Sequence, residues 1–249
     1  MRCVGEYKQV VRSINNEAQE PRKDFDNLFK TVLRDYFWDG LKIFLPELYE
    51  DADRDKGFVL LDKELQKVTF DLGGGARHID MLARITLKNG EDEFIICHLE
   101  VQNDKGGGDM SYRMYCYKEA IHLRYSKEPV GIAVMLTNRP RGEKKFYHSN
   151  VYGVEVTYKY INIPVPGIED EVLLADENRI GLVLYAAKCA SKSGDDEGEK
   201  FRYLRQISDL WNERGWNPHD KRVILEAASY LIGLSNEDYI KQAVEYVEN

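Results

Sequence analysis

Three oxygen-bearing side chains invite a chemical reading first. Asp80 stands about twenty residues before Glu100, and Gln102 follows two positions later. Residues two apart on a β-strand project to the same face, so Glu100 and Gln102 would point together, with His98 and Ile96 beside them. On a partner strand Asp80 would share a face with His78 and Leu82. Two carboxylates on one face are costly to desolvate unless something compensates them. Mg²⁺ or Mn²⁺ is the usual compensation, because hard oxygen ligands suit a hard cation. Such an ion polarises a phosphate and lowers the pKa of a water it binds. The spacing fits equally well a solvated strand end whose charges merely point outward. With His78 and His98 added, the same set could ligate Zn²⁺ or Fe²⁺, although no HxH or HExxH geometry supports that.

The reading makes a demand on the hairpin that must carry these residues. Arg77 to Leu87 and Glu93 to Gln102 are expected strands around Lys88-Asn89-Gly90-Glu91-Asp92, a strong hairpin signal. Asp80 and Glu100 share a face only if paired residue numbers sum to an even value. A two-residue Asn89-Gly90 turn gives an odd sum and opposite faces. The metal reading therefore requires a three- or five-residue connection, or a bulge.

The elements around the hairpin follow from periodicity. Phe25, Leu28, Phe29, Val32, Leu33, Tyr36, Phe37, Leu41, Phe44 and Leu45 recur at helical spacing, with Asp24 as N-cap, a break near Asp39-Gly40 and Pro46 just past the end. Phe58 to Leu61 and Val68 to Leu72 are expected strands, and Gly73-Gly74-Gly75 a loop. Gly106-Gly107-Gly108 marks another loop. Asp109 can then cap a helix to about Tyr125, with Met110, Met114, Tyr117 and Ile121 on its apolar stripe. Val130 to Thr137 is expected as a buried strand, and residues 151–165 as one further strand. Beyond Pro166 come helices over Leu173 to Ala190, Lys200 to Arg214, 219–234 and 236–247. Trp211, Trp216 and the ERGWNPHD segment suggest interhelical packing and a capped turn.

Composition bounds the function. The chain has 249 residues, 43% hydrophobic and 31% charged, and a net charge of −8. That charge argues against a protein that coats nucleic acid indiscriminately. It is uneven: −3 over residues 1–76, +2 over 77–160 and −7 over 161–249. The stretch holding the proposed chemistry is thus the one part that is not acidic. No run approaches the roughly 20 apolar residues of a membrane span. The N-terminal residues lack the apolar centre of a signal peptide, so a cytoplasmic location is expected. Cys3, Cys97, Cys116 and Cys189 are scattered without a CxxC pattern, which suggests reduced thiols.

Several segments resemble the PD-(D/E)XK nuclease superfamily, and more closely its recombination-promoting nuclease / YhgA-like transposase branch. They are DFDNLFKTVL (24–33), FLPELYEDADRDKGFVLLDKELQ (44–66), RHIDMLARITLKNGEDEFIICHLEVQ (77–102) and SYRMYCYKEAIHLRYSKEPVGIAVMLTN (111–138). NRIGLVLYAAKCA (178–190) and FRYLRQISDLWNERGWNPHDKRVILEAASYLIGLS (201–235) continue the likeness, which covers Asp24 to about Ser235. The resemblance implies an α/β (α+β) fold. Its restriction-endonuclease-like αβββαβ core, with a mixed central sheet, would occupy 24–166. An N-terminal arm (1–23) would precede it, and a helical C-terminal region (167–249) would follow. It also implies Mg²⁺- or Mn²⁺-dependent hydrolysis of DNA phosphodiesters in transposition or recombination, with DNA as partner and no membrane. Double-strand cutting needs two sites and so suggests a homodimer.

Residue by residue, the family's acidic positions fall on Asp80 and Glu100, and its third position on Gln102. The Val101 carbonyl would be a further metal ligand. Glu64 is the candidate for an assisting acid, with Asp26 second. Arg113 and Tyr117, together with Arg77 after the glycine loop, are the substrate-binding candidates. The superfamily's usual Lys is replaced by Gln102, which orients water but brings no cation. A nuclease-fold DNA-binding or regulatory module with weak or lost cleavage is the alternative.

Overall fold

A computed structural model describes residues 28, 31–61, 81–100, 110–136, 146–175 and 177–248, with 96–100 and 244–248 described in backbone only. The chain divides into two units. One takes the residues up to Ile43 and those from Val165 onward, and the other runs Phe44–Pro164.

The Phe44–Pro164 unit is built on a mixed sheet. Helix α2 (Pro46–Asp51) and a 3-10 turn (Arg54–Lys56) lead into strand β1 (Phe58–Leu60). Strands β2 (Met81–Thr86) and β3 (Asp92–Glu100) follow, then helix α3 (Met110–Tyr125) and strand β4 (Val130–Met135). Strands β5 (Phe146–Val151) and β6 (Val154–Lys159) form a separate two-stranded sheet, and β7 (Ile161–Pro164) rejoins the main one. The main order is β1-β2-β3-β4-β7. The first two pairings are antiparallel and the last two parallel. The chain is thus a mixed α/β protein with a mixed central sheet.

Burial explains these choices. Gly131 to Met135 of β4 are all buried, as in a strand covered on both faces. Helix α3 turns Met110, Met114, Tyr117 and Ile121 onto a cluster that includes Leu82, Phe94, Ala133, Met135 and Tyr160. The four helix residues are those of the stripe expected from spacing.

Two expectations are corrected, and one is met and extended. Residues 31–35 are helical, a turn falls at Tyr36, and α1 (Phe37–Phe44) runs straight through Asp39-Gly40. Pro46 lies just past the end of α1, as expected, and also begins α2, where its missing N–H is harmless. The single strand expected over 151–165 is two: β6 pairs with β5, and β7 pairs with β4. The expected strand at 68–72 lies outside the described residues.

The other unit is helical. It holds α4 (Asp170–Leu173), α5 (Arg179–Ser193), α6 (Glu197–Glu213), α7 (Pro218–Ile232) and α8 (Glu237–Glu248). Ile180 to Cys189 of α5 are buried on every side, which makes it the central helix. Asn178, Asp196 and Asn217 cap α5, α6 and α7 through their side-chain oxygens. Trp211 is buried, and the segment after it is a capped turn. The N-terminal helical residues belong with this unit: the Tyr36 hydroxyl donates to Asp220 at 2.9 Å, and the Arg179 amide donates to Asp39 at 3.0 Å.

Candidate functional site

The hairpin register decides whether the proposed carboxylates can share a face. β2 and β3 pair Met81 with Cys97, Leu82 with Ile96 and Thr86 with Asp92, always with an even sum of residue numbers. The connection achieves this with three residues, Lys88-Asn89-Gly90. The Leu87 amide donates to the Glu91 carbonyl at 2.7 Å, and the Gly90 amide to Leu87 at 2.8 Å. Gly90 takes φ +89°, a conformation that favours glycine. The Glu91 amide donates to the Asn89 side chain at 2.9 Å. The tip is also held from outside: the Asp53 amide donates to Thr86, and the Lys88 amide to Asp51. The Lys88 ammonium reaches the Glu50 carbonyl.

Even-numbered positions of β2 and β3 therefore lie on one side of the sheet. Leu82 and Phe94 mark it as the side covered by α3. Position 100 falls on that side by strand alternation, at the end of β3, paired with Met135 at the end of β4. β2 is antiparallel to β3 and begins at Met81, opposite Cys97, three residues before the end of β3. Asp80, Gln102, Val101, Glu64, Asp26, Arg77 and His78 lie outside the described residues.

Helix α3 carries the other two candidates. Tyr117 is buried in the cluster beneath the helix, so its ring is part of the core. Arg113 is half-buried one turn earlier. Three other polar residues of α3 are held in ion pairs. Lys118 pairs with Glu119 at 3.1 Å and Glu128 at 3.0 Å, and His122 lies 3.0 Å from Glu128. Tyr115 stacks on Tyr147 with ring centroids 4.4 Å apart, and Tyr125 stacks on Phe94 at 4.6 Å. These contacts are packing, as aromatics at helical spacing usually are.

Sequence reasoning missed the β5–β6 hairpin. Its inner face carries Tyr147 and Tyr158, and burial pushes the Tyr158 phenol up to about 12. The available signal was the Tyr152-Gly153 turn between alternating stretches; a Tyr where Asn or Asp is usual hid it.

Among the described residues no group of three or more His, Cys, Asp or Glu is gathered as a metal site. Among the same residues no helix is long and apolar enough to cross a membrane. Comparisons with models of protein families, with curated proteins and with solved structures give no match.

Proposed function

We propose that the Phe44–Pro164 unit is a PD-(D/E)XK-type domain of the recombination-promoting nuclease / YhgA-like transposase branch that hydrolyses DNA phosphodiesters with Mg²⁺ or Mn²⁺. The observation that carries the reading is the even register of β2 and β3, the parity that two carboxylates at 80 and 100 need to share a face. The order of three strands, a helix and a parallel strand supports the αβββαβ core that the resemblance implies. The donor set suits a hard cation: two carboxylates and the Val101 carbonyl, with Glu64 assisting. A bound divalent ion would neutralise charge building on the scissile phosphate. Asp80 and Glu100 would hold that ion, and Gln102 would orient the attacking water by hydrogen bonding. Arg113 and Arg77 supply positive charge for the phosphodiester backbone, and Tyr117 fixes the helix that carries Arg113.

The test is nicking of supercoiled DNA with Mg²⁺ or Mn²⁺ by the whole chain. Asp80→Ala and Glu100→Ala are each expected to lose at least a hundredfold in rate with the fold intact by circular dichroism. Equal nicking by wild type and both variants would sink the reading. A second reading, a nuclease-fold binding module with weak cleavage, is favoured by Gln102 in place of Lys. It predicts that wild type binds DNA without cutting, and that Gln102→Lys raises cleavage.

A further inference from the structure

The β5–β6 hairpin stands out for what it exposes. Eight large hydrophobic residues are exposed among the described residues. Four of them lie within nine positions here: Phe146, Val151, Tyr152 and Val154. One face of the hairpin is anchored. Tyr147 stacks on Tyr115 of α3 and lies 5.7 Å from Tyr112, while Tyr158 reaches over Gly131 of β4. The tip is not anchored: Val151 and Val154 are 60% and 70% exposed, and Tyr152 is fully so. Tyr152 also holds φ +51° ahead of Gly153 at +85°. A two-residue turn of this kind takes Asn or Gly at the first position without strain, and Tyr only at some cost. An aromatic ring kept at a strained, fully hydrated turn contributes nothing to this unit's own packing.

The sequence that leads into the hairpin is basic, which suits a polyanion. Phe146 follows directly on Arg139, Arg141, Lys144 and Lys145, with Glu143 the single acid among residues 139–145 of a chain of net charge −8. Lys159 is paired opposite Phe146 at the same end. Glu155, the acid on the outer face, lies 3.7 Å from His148. A ribbon with Lys159 at its base, entered from a basic stretch of sequence, and an apolar, aromatic tip matches the chemistry of elements that follow phosphates and push a side chain between bases.

We propose that the β5–β6 hairpin is a DNA-engaging arm that places Tyr152, flanked by Val151 and Val154, against an unstacked base step. This rests on the DNA reading above and adds to it a residue for binding and distortion, outside the proposed hydrolytic site.

The test uses the whole chain in EDTA, so that no cutting occurs, with a fluorescein-labelled duplex for affinity. A second duplex carrying 2-aminopurine reports unstacking. Tyr152→Gly is the informative variant, because glycine accepts φ +51° and the turn survives. It is expected to weaken binding roughly tenfold and to abolish the rise in 2-aminopurine fluorescence, since a base–aromatic stack contributes about 1–3 kcal/mol. Tyr152→Phe should keep both signals. Wild-type affinity and fluorescence in Tyr152→Gly would overturn the arm while leaving the nuclease reading in place. Absence of DNA binding by wild type would overturn both. A dimer in sedimentation that Tyr152→Gly dissociates, with DNA binding unchanged, would assign the tip to a second copy of the chain and also overturn the proposal.

Discussion

A hydroxyl and a missing methyl group meet at the start of β4. A Cβ added at Gly131 would lie 2.5 Å from the Tyr158 hydroxyl and 3.1 Å from the Met114 methyl. Among the described residues the hydroxyl finds no hydrogen-bond partner, and burial raises its pKa. Gly131→Ala is therefore expected to destabilise by about 1–3 kcal/mol in urea denaturation. Tyr158→Phe should recover most of that loss in the double variant, since it deletes the clashing oxygen and an unsatisfied polar atom together. Glu197 is the opposite case, a polar group with every need met. It accepts from the Ser235 and Asn236 amides at 2.7 Å each and pairs with Lys200 at 2.7 Å. Burial opposes its ionisation, but Lys200 and the two amides prevail and hold its pKa at about 2, below the ordinary 4.5. A depressed carboxylate contributes stability that is fully present above its unfolded pKa and lost as pH falls through the folded one. Wild type should thus lose stability between about pH 4.5 and 2 by this group. Glu197→Gln should flatten that part of the profile while lowering stability near neutrality by on the order of 1–2 kcal/mol. An unchanged acid profile in that variant would contradict the assignment.

At the scale of elements, the β2–β3 hairpin matters most, because the parity of its connection selects which residues share a face. The strands, the turn residues and the need for a three- or five-residue connection were all legible in the sequence. The choice among connections was not. Asn89-Gly90 is a good signal for a two-residue turn, and local propensity alone would have favoured it. What overrides it is burial on both sides of the sheet. Leu82 and Phe94 must face α3, while Met81, Ala83, Ile85 and Ile95 are buried on the other side. The bonds from Asp53 and Lys88 then pin the tip. Gly90→Ala meets no neighbouring atom, so its effect is backbone strain alone at φ +89°. It is expected to lower stability by about 1 kcal/mol, readable as a fall in the denaturation midpoint. The β5–β6 hairpin shows the complementary case. Its strands alternate, yet the Tyr at its turn made it unreadable without the tertiary packing of Tyr147 and Tyr158.

For the whole molecule, the grouping of the N-terminal helical residues with α4–α8 depends on a buried polar knot. Asp220 is 6% exposed. It accepts from Tyr36 at 2.9 Å, from Arg179 at 2.7 Å and from Asn217 at 2.9 Å. The Arg179 guanidinium also lies 3.5 Å from Asp39 and above the rings of Tyr36 and Trp216. Arg179→Ala leaves a buried carboxylate without its cation, so a loss of about 3 kcal/mol is expected in thermal or chemical unfolding. A loss under 1 kcal/mol would mean that the knot is solvated. Nothing in the order of residues announces this pairing, because Tyr36 and Asp220 are 184 positions apart. By itself the sequence determined what local physics encodes: the apolar stripe of α3, the buried run of β4 and the capped turn ahead of α7. Tertiary structure alone decided the even register of β2 and β3, the split of 151–165 between two sheets, and the union of chain ends around Asp220. Those outcomes turn on which distant surfaces must be buried together, and no local propensity carries that information.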